Sequence, residues 1–402
     1  MTKLFALFYF TPQVKNLKFD LESYQGKRVD LVIVAGEHSG DQHAAEMLAE
    51  VKKIRPDISV VAFGGSALRN AGADVILDMT KFSVVGLYEV LRNFFFFAKL
   101  IKQVFLWIEN NHPRAVCLID YPGFNIRLAQ MLFDGKLSSK AGGDIKVFYY
   151  ISPQIWAWKP KRCHQMAKFV DRVATIFPFE KDWFGKTDLD VSFVGHPFVA
   201  DSYKLNVTHN PGGPILLLPG SRCPAVKKIF PPLLDSFNEI LKHRSECTAI
   251  VVYPDEAILA ILRKILNRRF SKLLDKITFV PDGDSIEACA AIMSSGTMSL
   301  KCCLGGIPGA IVYKTHPLTY AIGKMLVNVK YLGIANILLD RCVWQEFIQS
   351  QLKPKSIAKY ILPYIDDKKL QHPLRKVSRE LKEILSAGKD MSVAQWLLSA
   401  VE

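Results

Sequence analysis

Asp120 ends an aliphatic run, Val116–Ile119, and precedes Tyr121-Pro122-Gly123-Phe124-Asn125. A carboxylate at a strand end can take a proton from a substrate hydroxyl. The same residue type also caps helices and makes turns, and the sequence leaves both readings open. Arg222 follows a second aliphatic run, Ile215–Leu218, and the turn Pro219-Gly220-Ser221. A guanidinium there adds a bidentate phosphate grip to the backbone donors of a helix start. As a plain surface residue it would oppose the helix dipole, which favours the functional reading. Ser294-Ser295-Gly296-Thr297 follows a third run, Ala291–Met293. Its hydroxyls and amides could cradle another part of a phosphate chain, or form an ordinary capping turn. His38, His43 and His196 have no spacing to each other or to acids that would hold a metal, so no metal site and no cofactor are expected.

These residues need elements to hold them. Leu31–Val34 runs into Ala35-Gly36-Glu37-His38-Ser39-Gly40-Asp41, and Ile215–Leu218 runs into Pro219-Gly220-Ser221-Arg222. Each is an aliphatic strand, a tight turn of small residues and a helical pattern. Such a junction exposes backbone N–H groups at the helix start. Two of them half a chain apart predict an α/β fold of two domains facing one cleft. Further strands are expected at Val60–Phe63, Val147–Ile151 and Val173–Ile176, then at Thr248–Val252, Ile277–Val280 and Ala310–Val312. Helical stretches between short aliphatic strands imply parallel sheets. The expected organisation is an arm over 1–28, one domain over 29–205 and a second over 206–402 with a helical tail. Asn206–Pro214, with Gly212-Gly213 between prolines, reads as the linker.

The chain has 402 residues, too many for one typical core. Half are apolar and 22% are charged, as in a globular protein. The formal net charge of +14 calls for an acidic partner, a phosphorylated small molecule or an anionic membrane surface. Nucleic acid ranks below these, because the basic residues are scattered and no recognition motif accompanies them. Eight cysteines without a CxxC pair read as reduced, buried thiols. The apolar start Met1–Phe10 stops at Thr11-Pro12 with no cleavage signal and reads as a short arm. No apolar run approaches the roughly 20 residues needed to span a bilayer.

Tyr88–Asn110 has a helical pattern that contains four consecutive phenylalanines, Phe94, Phe95, Phe96 and Phe97. Successive helical residues step by about 100°, so the four cannot share one face. Phe94, Phe97, Ile101 and Phe105 can line one side, which leaves Phe95 and Phe96 towards water unless something apolar covers them. A buried helix, a dimer interface and an interfacial membrane patch beside Arg92, Lys99 and Lys102 all fit.

Taken together, the motifs resemble the lipid-A-disaccharide synthase family. They are Ala35–Asp41, Phe63-Gly64-Gly65, Val84–Leu91, Ile119-Asp120-Tyr121-Pro122 with Phe124-Asn125, Ile151-Ser152-Pro153-Gln154-Ile155-Trp156-Ala157-Trp158, Pro178-Phe179-Glu180, Val194-Gly195-His196-Pro197, Leu217–Arg222, Ser295-Gly296-Thr297 and Asn336 in Ala335-Asn336-Ile337-Leu338. They follow the family's order over about residues 29–350.

The resemblance implies a GT-B fold, two Rossmann-like domains with the sugar donor between them. Family members move 2,3-diacylglucosamine from its UDP derivative to the 6′-hydroxyl of 2,3-diacylglucosamine 1-phosphate, lipid X. They form a β-1,6 bond with inversion, release UDP and need no metal. On this resemblance Asp120 is the base. Gly220, Ser221, Arg222, Ser295, Gly296, Thr297 and Asn336 bind the donor, and Glu37, Ser39, Gly40, Asp41 and Glu89 line the acceptor side of the cleft. Phe94–Phe97 touch the cytoplasmic face of the inner membrane, and a homodimer is one option.

Three positions depart from the family pattern. Ala225 and Lys301 stand where glutamates are usual, and Gly123 replaces the aspartate of Pro-Asp-Phe-Asn. Lys301 reverses the charge of a group that holds ribose hydroxyls in related folds. It would have to grip a phosphate instead, or donor affinity would fall. The readings that remain beside the resemblance are a transferase or epimerase for another UDP-sugar, and a weakened paralogue that only binds acylated saccharide.

Overall fold

The computed structural model describes residues 28–82, 94–157, 161–317, 320, 329–367 and 372–401. The arm over 1–27, the Val84–Leu91 motif with Glu89, and the side chains of Phe94 and Phe95 lie outside the described residues.

Two parallel sheets carry the molecule. The first contains β1 (Leu31–Ala35), β2 (Val60–Gly64), β3 (Asp74–Asp78), β4 (Ala115–Ile119), β5 (Lys146–Tyr150), β6 (Arg172–Thr175) and β7 (Asp190–Phe193), in the order β3-β2-β1-β4-β5-β6-β7. After the short β8 (Val207–His209), the second contains β9 (Ile215–Leu218), β10 (Ala249–Tyr253) and β11 (Ile277–Pro281), followed past β12 (Ile286–Ala288) by β13 (Ala290–Ser294), β14 (Gly309–Tyr313) and β15 (Glu346–Ile348). Its order is β11-β10-β9-β13-β14-β15. In both sheets the order reverses beside the first strand, at β1/β4 and at β9/β13. Ligands of open α/β sheets bind at such switch points, beyond the carboxyl ends of the strands.

The central strands are buried on both faces, as parallel strands under helices must be. In β1, Leu31, Ile33 and Ala35 belong to an apolar cluster that also takes in Leu216 and Leu218 of β9. Val32 and Val34 point the other way, into a cluster confined to the first sheet. That alternation is the two-residue period of a strand, and the first cluster joins the two sheets through one continuous core.

Twelve helices among the described residues cover the sheets. They are α1 (His38–Ile54), α2 (Ser66–Asn70), α3 (Phe94–Asn111), α4 (Pro122–Asp134), α5 (Arg162–Phe169), α6 (Cys223–Leu241), α7 (Glu256–Arg269), α8 (Thr297–Leu304), α9 (Ile334–Leu338), α10 (Pro354–Asp366), α11 (His372–Ser386) and α12 (Val393–Val401). Among the described residues, none is long and apolar enough to cross a membrane.

Asn206–Pro214 is not a bare connector. Val207 is fully buried, and β8 inside this stretch pairs in parallel with β12. The last helix, α12, returns to the first sheet. Trp396 is fully buried, its ring centroid 5.3 Å from that of Phe148. Arg114 donates to the Val401 carbonyl at 3.1 Å, and Lys181 pairs with Asp390 at 2.9 Å.

Helix α3 buries Leu100, Ile101, Val104, Trp107 and Ile108. Phe97 and Phe105 are half-buried beside this stripe. Phe96 does not stand towards water: its ring lies 5.4 Å from Phe82 and 5.5 Å from Phe97. Lys99 and Lys102 are exposed.

Candidate active site

Four candidate residues follow the four strands at the two switch points. Glu37 follows β1, Asp120 follows β4, Arg222 follows β9 and Ser295 follows β13. Two contacts join the lobes across this crevice. Arg222 Nη2 lies 3.4 Å from Glu37 Oε2, and His38 Nε2 lies 3.9 Å from Asp255 Oδ2 beyond β10.

Asp120 sits in an unusual backbone. It and Tyr121 both have left-handed φ, 45° and 46°. Consecutive non-glycine residues in that region are strained and need support from their surroundings. Tyr149 donates its hydroxyl proton to the Asp120 carbonyl, and Asn125 Nδ2 donates to the carbonyls of Asp120 and Ile119 at 2.9 and 3.0 Å. The main chain is pinned while the carboxyl stays available. The ring of Tyr121 packs against Gly36, where any Cβ would overlap it. The glycine of the first loop therefore makes room for the residue after Asp120.

Burial pushes the Asp120 carboxyl up to about 7, and the charge of Glu37 pushes in the same direction. The Tyr121 amide and the Arg222 guanidinium pull it back less strongly. A carboxyl poised near neutrality is about half ionised at pH 7 and binds a proton readily. The 3.4 Å pair of Arg222 with Glu37 brings the cation of one lobe to the strand ends that Glu37 and Asp120 follow in the other.

The second lobe offers anion donors. Gly220 has φ +98°, a left-handed turn that suits glycine, and it abuts Ser294 at the end of β13. Ser221 and Arg222 are exposed beside it. Neither α6 nor α8 has a side-chain cap at its start, so backbone N–H groups remain for a ligand. At α8 these belong to the turn of Gly296 and Thr297, both exposed. Ser295 spends its proton inside the protein, on the Leu332 carbonyl at 2.8 Å. The Ser295 hydroxyl is therefore not turned to the cleft.

Two candidates turn inward. Asp41 is buried and accepts from the backbone amides of Gly65, Ala67 and Leu68 at 2.6, 2.9 and 3.4 Å. It caps α2 from α1 instead of lining the cleft, and its approach explains Gly65. Asn336 is also fully buried. Its Nδ2 donates to Trp344 O and Glu346 Oε1, both at 2.9 Å, and its Oδ1 accepts from Val343 and Trp344. Its hydrogen-bonding capacity is spent, so it braces the second lobe from inside rather than facing the cleft. Gly40 is buried within α1 beside Ile119, and Ser39 is half-buried one residue earlier.

Lys301 turns to Asp282 and the Phe198 ring, not to the turn of Gly296 and Thr297. It is buried, 3.9 Å from Asp282 Oδ1 and 5.1 Å from the centre of the Phe198 ring. Ala225 lies half-buried in the first turn of α6.

Sequence reasoning missed several supports. Glu346 accepts from the amides of Leu332 and Gly333 as well as from Asn336. Glu180 is buried, accepts from Trp156 Nε1 at 3.1 Å and from the amides of Ile176 and Phe177, and is pushed up to about 7 by burial. The Trp156 and Glu180 motifs are thus two halves of one internal brace, and their separation in sequence hides it. All eight cysteines are free thiols. Among the described residues, no cluster of three or more His, Cys, Asp or Glu is arranged to hold a metal ion.

Comparison with known proteins adds relatives to this geometry. A family model described as lipid-A-disaccharide synthetase matches residues 31–397. The lipid-A-disaccharide synthase of Nitrosococcus oceani is 34% identical over 385 residues, covering 92% of this chain and 96% of its own. Lipid-A-disaccharide synthase 1 of Legionella pneumophila is 35% identical over 376 residues, covering 89% and 94%. Among solved structures, the calicheamicin glycosyltransferase CalG4 superposes with a TM-score of 0.52 at 13% identity, covering 93% of this chain and 99% of its own. A Staphylococcus aureus protein, MnaA, solved with UDP superposes with a TM-score of 0.53 at 13% identity, covering 92% and 95%. These two share the fold, two α/β lobes about a cleft.

Proposed function

The chain belongs to the lipid-A-disaccharide synthetase family and is a glycosyltransferase of lipid A biosynthesis; on that premise we propose that it moves 2,3-diacylglucosamine from its UDP derivative to the 6′-hydroxyl of 2,3-diacylglucosamine 1-phosphate. The observation that carries this reading is the Arg222–Glu37 pair, 3.4 Å apart across the cleft at the switch point that Asp120 also follows.

In the mechanism Asp120 takes the proton of the acceptor hydroxyl as its oxygen attacks the anomeric carbon of the donor. The bond to the diphosphate breaks on the opposite face, so the configuration inverts. Charge develops on the leaving UDP, where Arg222 and the amides at the starts of α6 and α8 stabilise it. Arg222 rests on Glu37 before the donor arrives and exchanges that carboxylate for the diphosphate. Both substrates carry acyl chains. Drawing them from a bilayer suits the phenylalanine-rich start of α3 with exposed Lys99 and Lys102, at the anionic cytoplasmic face of the inner membrane.

The test is UDP release by the purified chain in mixed micelles. Release that requires both lipids together supports the reading. Release with the donor and an unrelated sugar acceptor, but not with the acylated 1-phosphate, overturns the choice of acceptor.

A further inference from the structure

Phe198 lies where the chain leaves the first sheet for the second, in the short turn Pro197–Val199 between β7 and β8. It is buried, and side chains of both lobes meet its ring. His43 of α1 approaches from the first lobe, with the ring centroids 5.4 Å apart. Lys301 of α8 approaches from the second, its Nζ 5.1 Å from the ring centre. Further along the crossing segment, Tyr203 packs on Phe198 at 5.1 Å, and Ser202 donates to Glu50 of α1 at 3.0 Å. The backbone beside the ring is tied to the second lobe as well. His196 N donates at 3.0 Å to the Leu385 carbonyl of α11, a helix that packs on α8.

The two helices that converge on Phe198 are helices whose starts flank the cleft. Glu37 stands at the start of α1, and His43 lies in its second turn. Thr297 opens α8, and Lys301 follows one helical turn later on the same face. Lys301 is also a cation inside an apolar core. Its neighbours Leu300, Cys302 and Cys303 belong to the cluster that joins the two sheets. Burying a charge is costly unless it is paired. Here the pairing is loose: Asp282 Oδ1 lies 3.9 Å away, beyond hydrogen-bond distance, and that oxygen has no hydrogen bond among the described residues. The face of the Phe198 ring supplies the rest of the cation's surroundings.

We propose that Phe198 and Lys301 are positioning residues, whose contact fixes the angle between the lobes and so the placement of Arg222 and the start of α8 opposite Asp120; the kinetic part of the proposal rests on the reaction assigned above. Both act through α1 and α8 rather than on the reacting atoms. The glutamate usual in the family at 301 would offer no cation to the ring and would bring a second carboxylate towards Asp282. The contact is therefore a property of this chain, and the reaction itself does not require a lysine there.

The experiment uses Lys301→Met, which removes the charge, Lys301→Arg, which keeps a cation for the ring, and Phe198→Leu, which removes the ring. Spin labels on unnatural residues at Lys140 and Lys264, exposed positions of the first and second lobe, read the distance between the lobes with UDP bound. Wild type and Lys301→Arg give one narrow distance, and Lys301→Met and Phe198→Leu give a broad one. With both lipids, kcat of Lys301→Met falls about 10²-fold with KM little changed, as when reacting groups are misplaced by about 1 Å, and Lys301→Arg recovers most of it. Distances as narrow in Lys301→Met and Phe198→Leu as in wild type overturn the proposal, and so does a loss of kcat that Lys301→Arg does not recover. If the wild type releases no UDP with both lipids, the assigned reaction fails, and the distances alone decide the positioning role.

Discussion

Arg222 of the second lobe and Glu37 of the first meet at 3.4 Å, and the charges of both act on Asp120. This pair does two things. It parks the cation proposed to meet the diphosphate on an internal carboxylate, and it places a negative charge where it raises the pKa of Asp120, the proposed base. The crevice is therefore set electrostatically by residues from both lobes.

The loss of Arg222 should act on chemistry more than on folding. Arg222→Gln removes one donor to the developing diphosphate charge, and kcat should fall by about 10²-fold. The side chain is exposed, so the thermal midpoint should barely move. A fall in stability with kcat unchanged would make Arg222 a structural residue.

The pH profile should carry the mark of Asp120. The base works when ionised, so kcat/KM should rise with pH through about 7. Glu37 raises this value and Arg222 lowers it. Glu37→Gln should therefore move the acidic limb to lower pH, and Arg222→Gln should move it higher. Limbs that stay in place in both variants would detach Asp120 from the observed titration.

The same shift has a consequence for stability. In the unfolded chain the Asp120 carboxyl titrates near about 3.9, and in the folded chain near about 7. Between these values the folded state keeps a proton that the unfolded state has lost, so stability falls as pH rises through the window. Asp120→Asn removes that effect. Denaturation at pH 8 should find the variant more stable than wild type, with the advantage gone at pH 4.

Asp41 and Trp396 should behave as parts of the frame. Asp41→Asn turns one of the two accepting oxygens into an NH2 donor facing a backbone amide of α2, and should cost about 1–3 kcal/mol. Trp396→Ala empties the contact between the last helix and the first sheet and should cost about 3–5 kcal/mol. Denaturant midpoints check both. Asp41→Asn with full stability but a raised acceptor KM would return Asp41 to the cleft.

Much of this site was legible in the residues. Each aliphatic run that ends in small or polar residues is a central parallel strand, because burial on both faces demands an unbroken apolar stretch. That made β1, β4, β9 and β13 readable, and with them Asp120 and Arg222. Of the four edge strands of the two main sheets, only β11 was readable, from Ile277–Val280. Asp74–Asp78 and Asp190–Phe193 carry charges on their open sides, and Val207–His209 looks like a linker until β12 pairs with it. The inward turn of Asp41 and Asn336 was hidden for another reason: their partners, Gly65 and Glu346, are distant or unmarked in sequence. Phe96 shows the same limit, since its cover, Phe82, precedes the helix.

Product formation in a single turnover, with both acylated substrates bound, tests the central claim most directly. Wild type should form the disaccharide, and Asp120→Asn should do so about 10²–10⁴-fold more slowly while binding UDP equally well. Equal rates in the two proteins would contradict Asp120 as the base and the mechanism built on it.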